Sequence, residues 1–340
     1  MALAALTACS RDFRTEPAAS LQFNRDGSFK IVQLTDTHYI SGDARSDRAL
    51  RCVEEVLDVE KPDFVIHTGD IIFGAPAGPG LEEIFAPLVK RGVPFAVALG
   101  NHDGQFDLNR DEVYETIRGI PGCVNRPAAE KGITGNSNDV LTLSASDSLA
   151  FVLYLFDSGD KTDFDVRGKK HKFYDYIRFD QVEWYRRLSG RFREANGGVP
   201  VPSVAFFHIP LPEMASLQEH KSAKVYGNNE EKPCPSEVNS GLYGQFLEMQ
   251  DVFAVVNGHE HDCDFVLDYG PVTMIYGRYC GGETVYNHLG ADGRSEDKVS
   301  GVRIFEFHRG EPGFTTWVRL YGGDCRQRLH VGPDGVKPLE

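Results

Sequence analysis

The stretch Val93-Pro94-Phe95-Ala96-Val97-Ala98-Leu99-Gly100-Asn101-His102-Asp103 decides how this chain folds. Its first seven residues form a short apolar run, rich in β-formers and closed by Gly, which reads as a buried strand. An amide, an imidazole and a carboxylate follow at once. Polar groups at the carboxyl end of a core strand stand where open α/β sheets bind ligands. The Asn101 side-chain oxygen can ligate a metal, and the neighbouring His102 can handle a proton. Taken alone, the same residues also read as a polar loop with a capping Asn and Asp. The neighbouring strands decide between the two.

Upstream, residues 29–34 form an apolar strand that ends in Thr35-Asp36-Thr37-His38. A helix is expected over residues 46–60, where Ala49, Leu50, Val53, Val56 and Leu57 recur at helical spacing and Pro62 stops the pattern. Residues 63–67 form a second strand that ends in Thr68-Gly69-Asp70. Strand, helix, strand, helix, strand, with polar residues after each strand, predicts a parallel α/β core.

Downstream, residues 104–148 are polar and Gly-rich and read as surface excursions with a helical patch at 111–118. Residues 149–156 form another buried strand, and Asp157 and Asp160 after it read as turn residues. Asp180-x-x-Glu183 resembles a capping box that opens a helix over 182–193. Strands at 201–207 and 251–256 end in His208 and in Gly258-His259-Glu260-His261, with a long polar loop at 215–240 between them. Runs at 271–276, 302–307 and 314–320 suit antiparallel strands that complete a second sheet. No internal repeat or low-complexity block interrupts the chain.

Composition sets the outer bounds. The 340 residues are 41% hydrophobic and 25% charged, enough for a sizeable core. A net charge of −14 argues against a grip on duplex nucleic acid, which needs clustered Lys and Arg. It leaves room for an anionic substrate, because a bound metal can be the largest charge in a site. The seven Cys include no C-x-x-C pair, so a thiolate zinc site is not expected; disulfides are possible in an oxidising compartment. Cys52 falls on the core face of its helix and reads as a small buried hydrophobe. Residues 1–20 read as a tether or signal remnant, with Leu6-Thr7-Ala8-Cys9-Ser10 resembling the end of a lipoprotein signal that would lipidate Cys9. That reading implies a periplasmic or outer-membrane anchored protein; without it the expected location is the cytoplasm.

Five strands therefore end in metal-capable side chains: Asp36 and His38, Asp70, Asn101 beside His102, His208, and His259 with His261. Each motif alone has an ordinary structural reading as a turn or cap. Jointly they point to one purpose. Carboxylate, imidazole and amide donors without thiolates favour Mn, Fe, Zn or Co. Asp70 stands alone in its motif and is the natural bridge between two ions, which would activate a water and clamp phosphoryl oxygens.

The ordered set Asp36-x-His38, Gly69-Asp70, Gly100-Asn101-His102-Asp103, His208 and Gly258-His259-x-His261 resembles the calcineurin-like metallophosphoesterase superfamily. The resemblance implies a four-layer α/β/β/α sandwich of two mixed sheets over residues 21–330 and two divalent or trivalent metal ions. It assigns Asp36, His38, Asp70 and His261 to one metal, and Asp70, Asn101, His208 and His259 to the other. It makes His102 the contact to substrate phosphate and the proton donor to the leaving group, with Asp103 orienting it.

A narrower resemblance, carried by residues 68–74, 156–160, 208–213 and 238–241, is to the small single-domain purple-acid-phosphatase-like proteins of plants and fungi, the plant 28 and 29 type. True purple phosphatases carry a Tyr ligand three residues after the bridging Asp; here that position is Phe73, so no purple chromophore is expected. Arg278, in the loop after residues 272–276, is a further candidate for substrate contact beside Asn101 and His102, and His67 reads as a packed histidine behind the ligands. The function implied is phosphomonoester hydrolysis of a small substrate. The alternatives are a phosphodiesterase acting on nucleotides or lipid headgroups, and a non-catalytic metal- or phosphate-binding protein.

Overall fold

A computed structural model describes residues 16–128, 132–146, 148–285 and 299–339. Cys9 and most of the expected tether lie outside these residues. The chain runs β1 (Ala19–Gln22), β2 (Ser28–Leu34), α1 (Asp47–Glu60), β3 (Phe64–His67), α2 (Ala77–Arg91), β4 (Phe95–Val97) and α3 (Arg110–Gly119). Next come β5 (Asp139–Ala145), β6 (Ser148–Leu155), the hairpin β7 (Lys161–Val166) and β8 (Lys169–Tyr174), α4 (Phe179–Ala195) and β9 (Ser203–Phe206). After α5 (Pro212–Leu217), β10 (Lys224–Tyr226) and α6 (Leu242–Met249) follow β11 (Val252–Asn257), β12 (Val266–Asp268) and β13 (Thr273–Tyr276). The tail is a meander of β14 (Gly301–His308), β15 (Phe314–Leu320), β16 (Cys325–Gly332) and β17 (Gly335–Pro338).

The strands form two large mixed sheets, ordered β1-β5-β6-β9-β11-β13-β12-β10 and β17-β16-β15-β14-β2-β3-β4. Period-two alternation sorts each strand's side chains between layers. Ile31, Phe64, Ile66, Phe305 and Phe307 of one sheet meet Leu141, Leu153, Phe206, Ala254 and Val256 of the other in the central core. Val32, Leu34, Val65 and Val97 turn outward, under α1, α2 and α3. Val152, Ala205 and Val255 turn to α4 and α6. This is the four-layer α/β/β/α sandwich that the resemblance implied.

Strands β2, β3, β9 and β11 are parallel members of their sheets, so their carboxyl ends fall on one edge of the sandwich. The folded body also runs on through β17 to Pro338, past the expected end at residue 330. Helix α4 opens one residue before Asp180; the Arg178 N–H is capped by Gln181 Oε1 at 2.6 Å, while the Asp180 carboxylate accepts from Thr134 instead. Among the described residues the six cysteines are free thiols, with Cys52 buried as expected. No helix among them is long and apolar enough to cross a membrane.

Candidate metal centre

Three of the five ligand loops, those after β2, β3 and β11, pass through a backbone conformation that L-residues rarely adopt. Asp36, His38, Asp70 and His259 have φ of 53°, 43°, 53° and 82°. Such left-handed positions cost of order 1–3 kcal/mol each and persist where the surroundings over-determine them. Here the loops lock one another: the Asp36 N–H donates to Gly69 O and the His38 N–H to Asp70 O, both at 3.0 Å. Gly69 and Gly100 let the β3 and β4 loops touch. A Cβ on Gly100 would stand 2.2 Å from Asp70 N, and one on Gly69 2.3 Å from Gly100 N.

The result is one cluster of converging donors. Asp36, His38 and His261 lie within ligand reach of one another, as do Asp70, His208 and His259. The His38 and His261 Nε2 atoms are 3.0 Å apart. His208 Nε2 lies 3.1 Å from Asn101 Oδ1 and 3.3 Å from His259 Nδ1. Asp70 Oδ2 faces both triads, at 3.7 Å from His38 Nε2 and 3.2 Å from His208 Nε2. Its other oxygen accepts the His102 backbone N–H at 2.7 Å. Thr68 O accepts from His208 Nδ1 at 2.7 Å, which aims Nε2 into the cluster.

The electrostatics ask for cations. Burial first, then the charge of neighbouring His261 or His208, holds His38 and His259 neutral, with pKa values lowered to about 3. Their lone pairs thus face other nitrogens. Burial alone would raise Asp36 and Asp70, but the imidazoles around them, His208 foremost, keep both well below the usual carboxylate range. His208 pays the burial cost in turn and is pushed up to about 9 by Asp70 and Asp36. One proton on His208 is thus the metal-free cluster's answer to two buried carboxylates. Oxygen and imidazole donors around excess negative charge fit borderline or hard divalent metals.

A pH dependence follows. The folded value of His208 lies above the unfolded value of 6.5, so its stabilisation is complete below about pH 6.5 and disappears as pH rises through about 9. Chelated protein should lose on the order of 3 kcal/mol across that window. Protein loaded with metal should not, because the metal takes the proton's place. Melting curves against pH, with and without chelator, read the difference directly; parallel curves would contradict it.

Two roles expected from the sequence are corrected here. Asp103 does not touch the His102 ring. Its Oδ2 accepts from Asp70 N and Gly100 N at 2.9 Å each, and its Oδ1 from Ile71 N at 2.8 Å, so it clamps the β3 loop to the β4 loop. Burial and then Asp70 push its carboxyl up to about 6 against those donors. Arg278 does not reach the site's open face. It is buried, with Nη1 on Asp264 Oδ2 at 2.9 Å and Nε on Val299 O at 2.9 Å, and serves the packing between sheets.

Asp157, read as a turn residue, is a buried hub instead. It pairs with Arg110 at 2.6 Å and accepts the Asn136 and Ser137 N–H groups. His67 packs behind the ligands as expected, 3.1 Å from Thr37 Oγ1. Residues that sequence reasoning passed over also shape the site. The Gln105 Oε1 meets His102 Nδ1 at 2.8 Å, and the Tyr174 ring stands edge-on to His259 with centroids 4.6 Å apart. Phe73 packs edge-on against both His38 and His102, at 5.1 and 5.0 Å, and lines the cluster without ligating it.

A family model described as calcineurin-like phosphoesterase matches residues 29–263, which include all of these donors. The chain belongs to the calcineurin-like phosphoesterase family. This family typically binds two metal ions, and the two converging triads are the candidate ligands here. The chain is 30% identical to a protein of Arabidopsis thaliana named probable inactive purple acid phosphatase 29, over 90% of this chain and 86% of that protein. It is 28% identical to phosphatase DCR2 of Saccharomyces cerevisiae, over 90% of this chain and 56% of that protein. Among solved structures, a dimetal phosphatase from Danio rerio superposes with a TM-score of 0.57 at 13% identity, covering 89% of this chain and 98% of that one. That likeness concerns the fold.

Proposed function

We propose that this protein hydrolyses phosphate monoesters of small molecules at the Asp36–Asp70–His208 cluster, with two bound metal ions and His102 as proton donor. The observation that carries the reading is the placement of Asp70. Its Oδ2 faces both imidazole groups while its Oδ1 holds the backbone of His102, so one carboxylate joins the two triads to the proton-handling loop. Two metals bound there supply an activated water and charge neutralisation of the phosphoryl oxygens.

The chain's own residues supply the rest. Asp36, Asp70, Asn101 and the four ligand histidines, His38, His208, His259 and His261, fix the donors on rigid strand ends, which keeps reorganisation small. His102 is half-buried beside His38, with ring centroids 5.6 Å apart, so its Nε2 edge can meet the oxygen of a departing group. One relative is named probable inactive purple acid phosphatase 29, and a fold does not by itself secure turnover. This chain keeps a full donor set with His102 in place, which favours catalysis over mere binding.

His102→Ala is the direct test of the proton-donor role. Metal content should stay at two per chain, and turnover of p-nitrophenyl phosphate should fall by about 10²-fold, toward 10⁴-fold for esters with poorer leaving groups. Turnover unchanged across leaving groups would remove His102 from the chemistry.

A further inference from the structure

Gln105 stands three residues after His102, faces solvent, and nevertheless has both ends of its amide engaged. Its Nε2 donates to Asn101 O at 2.7 Å and to Asp160 Oδ1 at 3.1 Å. Both partners can only accept, so the amide's orientation is forced. Its Oε1 therefore faces His102 Nδ1, at 2.8 Å, and that nitrogen must carry a proton. We infer that Gln105 is a positioning residue: it fixes the tautomer and tilt of His102 and ties that ring to Asp160, at the root of the β7–β8 hairpin. The inference rests on the hydrolytic reading above, in which His102 Nε2 gives a proton to the leaving group.

With Nδ1–H committed to Gln105, Nε2 is the nitrogen that gains and gives the proton. In the step the phosphorus–oxygen bond to the leaving group breaks and the water oxygen bonds to phosphorus. The Nε2 proton passes to the leaving oxygen, and the proton shed by water returns to Nε2 through solvent. A neutral amide suits this place better than a carboxylate. It orients the imidazole without setting a second negative charge beside an incoming phosphate, and it separates the Asp160 carboxylate from that phosphate.

The hairpin then flanks the cluster on two sides. Asp160, just before β7, holds Gln105, while Tyr174 at the end of β8 packs on His259, with Lys161 stacked 5.9 Å above the Tyr174 ring. Proton donor and ligand histidine are thereby braced by one element. Misplacing a catalytic group by about 1 Å can cost about 10²-fold in rate.

The test uses Gln105→Ala in the full chain, with metal content matched to the parent. Being solvent-facing, the position tolerates truncation without loss of fold. Turnover of p-nitrophenyl phosphate, whose leaving group needs little protonation, should fall a few-fold. Turnover of phenyl phosphate should fall by about 10²-fold. Adding Gln105→Ala to His102→Ala should cost nothing further. An equal loss on both esters, or additive losses in the double variant, would overturn the assignment.

A second readout needs no turnover. Ring-¹⁵N spectra of zinc-loaded protein, assigned with His102→Ala, should show the Nδ1–H tautomer of His102 in the parent and a mixture in Gln105→Ala. Identical spectra would refute the role. Should the parent cleave neither ester above an Asp70→Asn blank, the hydrolytic reading fails, and these spectra alone decide whether Gln105 orients the ring.

Discussion

Asp70→Asn is expected to lower turnover of p-nitrophenyl phosphate by about 10³-fold or more, and to leave the protein unable to hold two metals per chain. The expectation follows from what each oxygen does. Oδ1 accepts the His102 N–H at 2.7 Å, a bond that the amide oxygen of Asn preserves, so the loop stays in place. Oδ2 is the atom facing both His38 and His208, and there the substitution sets a neutral NH₂ in place of an anion. Charge neutralisation by metals contributes several kcal/mol to such reactions, and each 1.36 kcal/mol is tenfold in rate. Removing a carboxylate that faces both triads forfeits most of that. Even groups one bond removed from the ligands typically cost 10–100-fold in metal affinity, and a direct ligand should cost more. Elemental analysis after dialysis reads the metal, and the ester assay reads the rate. A variant that keeps two metals and near-parental turnover would remove the bridging role from Asp70.

Asp103→Ala is expected to destabilise the fold by about 3 kcal/mol or more, and to lose metal and activity with it. A buried group left without its hydrogen-bond partner costs about 1–3 kcal/mol, and here the N–H groups of Asp70, Gly100 and Ile71 all lose theirs. Asp103→Asn fares only slightly better, because its NH₂ must face at least one N–H donor. Melting temperature should drop on the order of 5–10 °C. The same clamp holds Asp70 at φ 53°, so its release relaxes the bridging carboxylate away from the cluster. If Asp103→Ala melted like the parent but altered only the leaving-group dependence, Asp103 would be acting on the His102 ring instead.

The contrast between Asp103 and Gln105 shows where sequence reasoning stops. A carboxylate next to a catalytic imidazole reads as its partner, but consecutive side chains in the Gly100–Gly104 turn diverge. Asp103 points inward to backbone donors while the longer Gln105 returns to the ring. Nothing in residue order announces that. Arg278 misled for a similar reason: a cation in a loop near a phosphate site is attractive until Asp264, three residues past His261, is seen to hold it.

The strands split along the same line. β2, β3, β9 and β11 were legible because central strands covered on both faces are continuous apolar runs. Their polar ends then named the donors. β5 was hidden in a segment rich in Ser, Thr and Asn, although its residues Asp139 to Leu143 are buried between β1 and β6. The β7–β8 hairpin carries too many exposed Lys and Asp to read as strands, since a projecting ribbon gains its stability from pairing rather than burial. Elements that pack announce themselves; elements that brace do not.

Protein stripped and reloaded separately with Mn, Zn, Fe and Co should be given p-nitrophenyl phosphate and bis-p-nitrophenyl phosphate side by side, with Asp70→Asn as the blank. The account predicts turnover well above the blank with two metals bound, and faster cleavage of the monoester. Preference for the diester would replace the monoesterase reading with a phosphodiesterase one. Two metals bound with neither ester cleaved above the blank would contradict the catalytic claim.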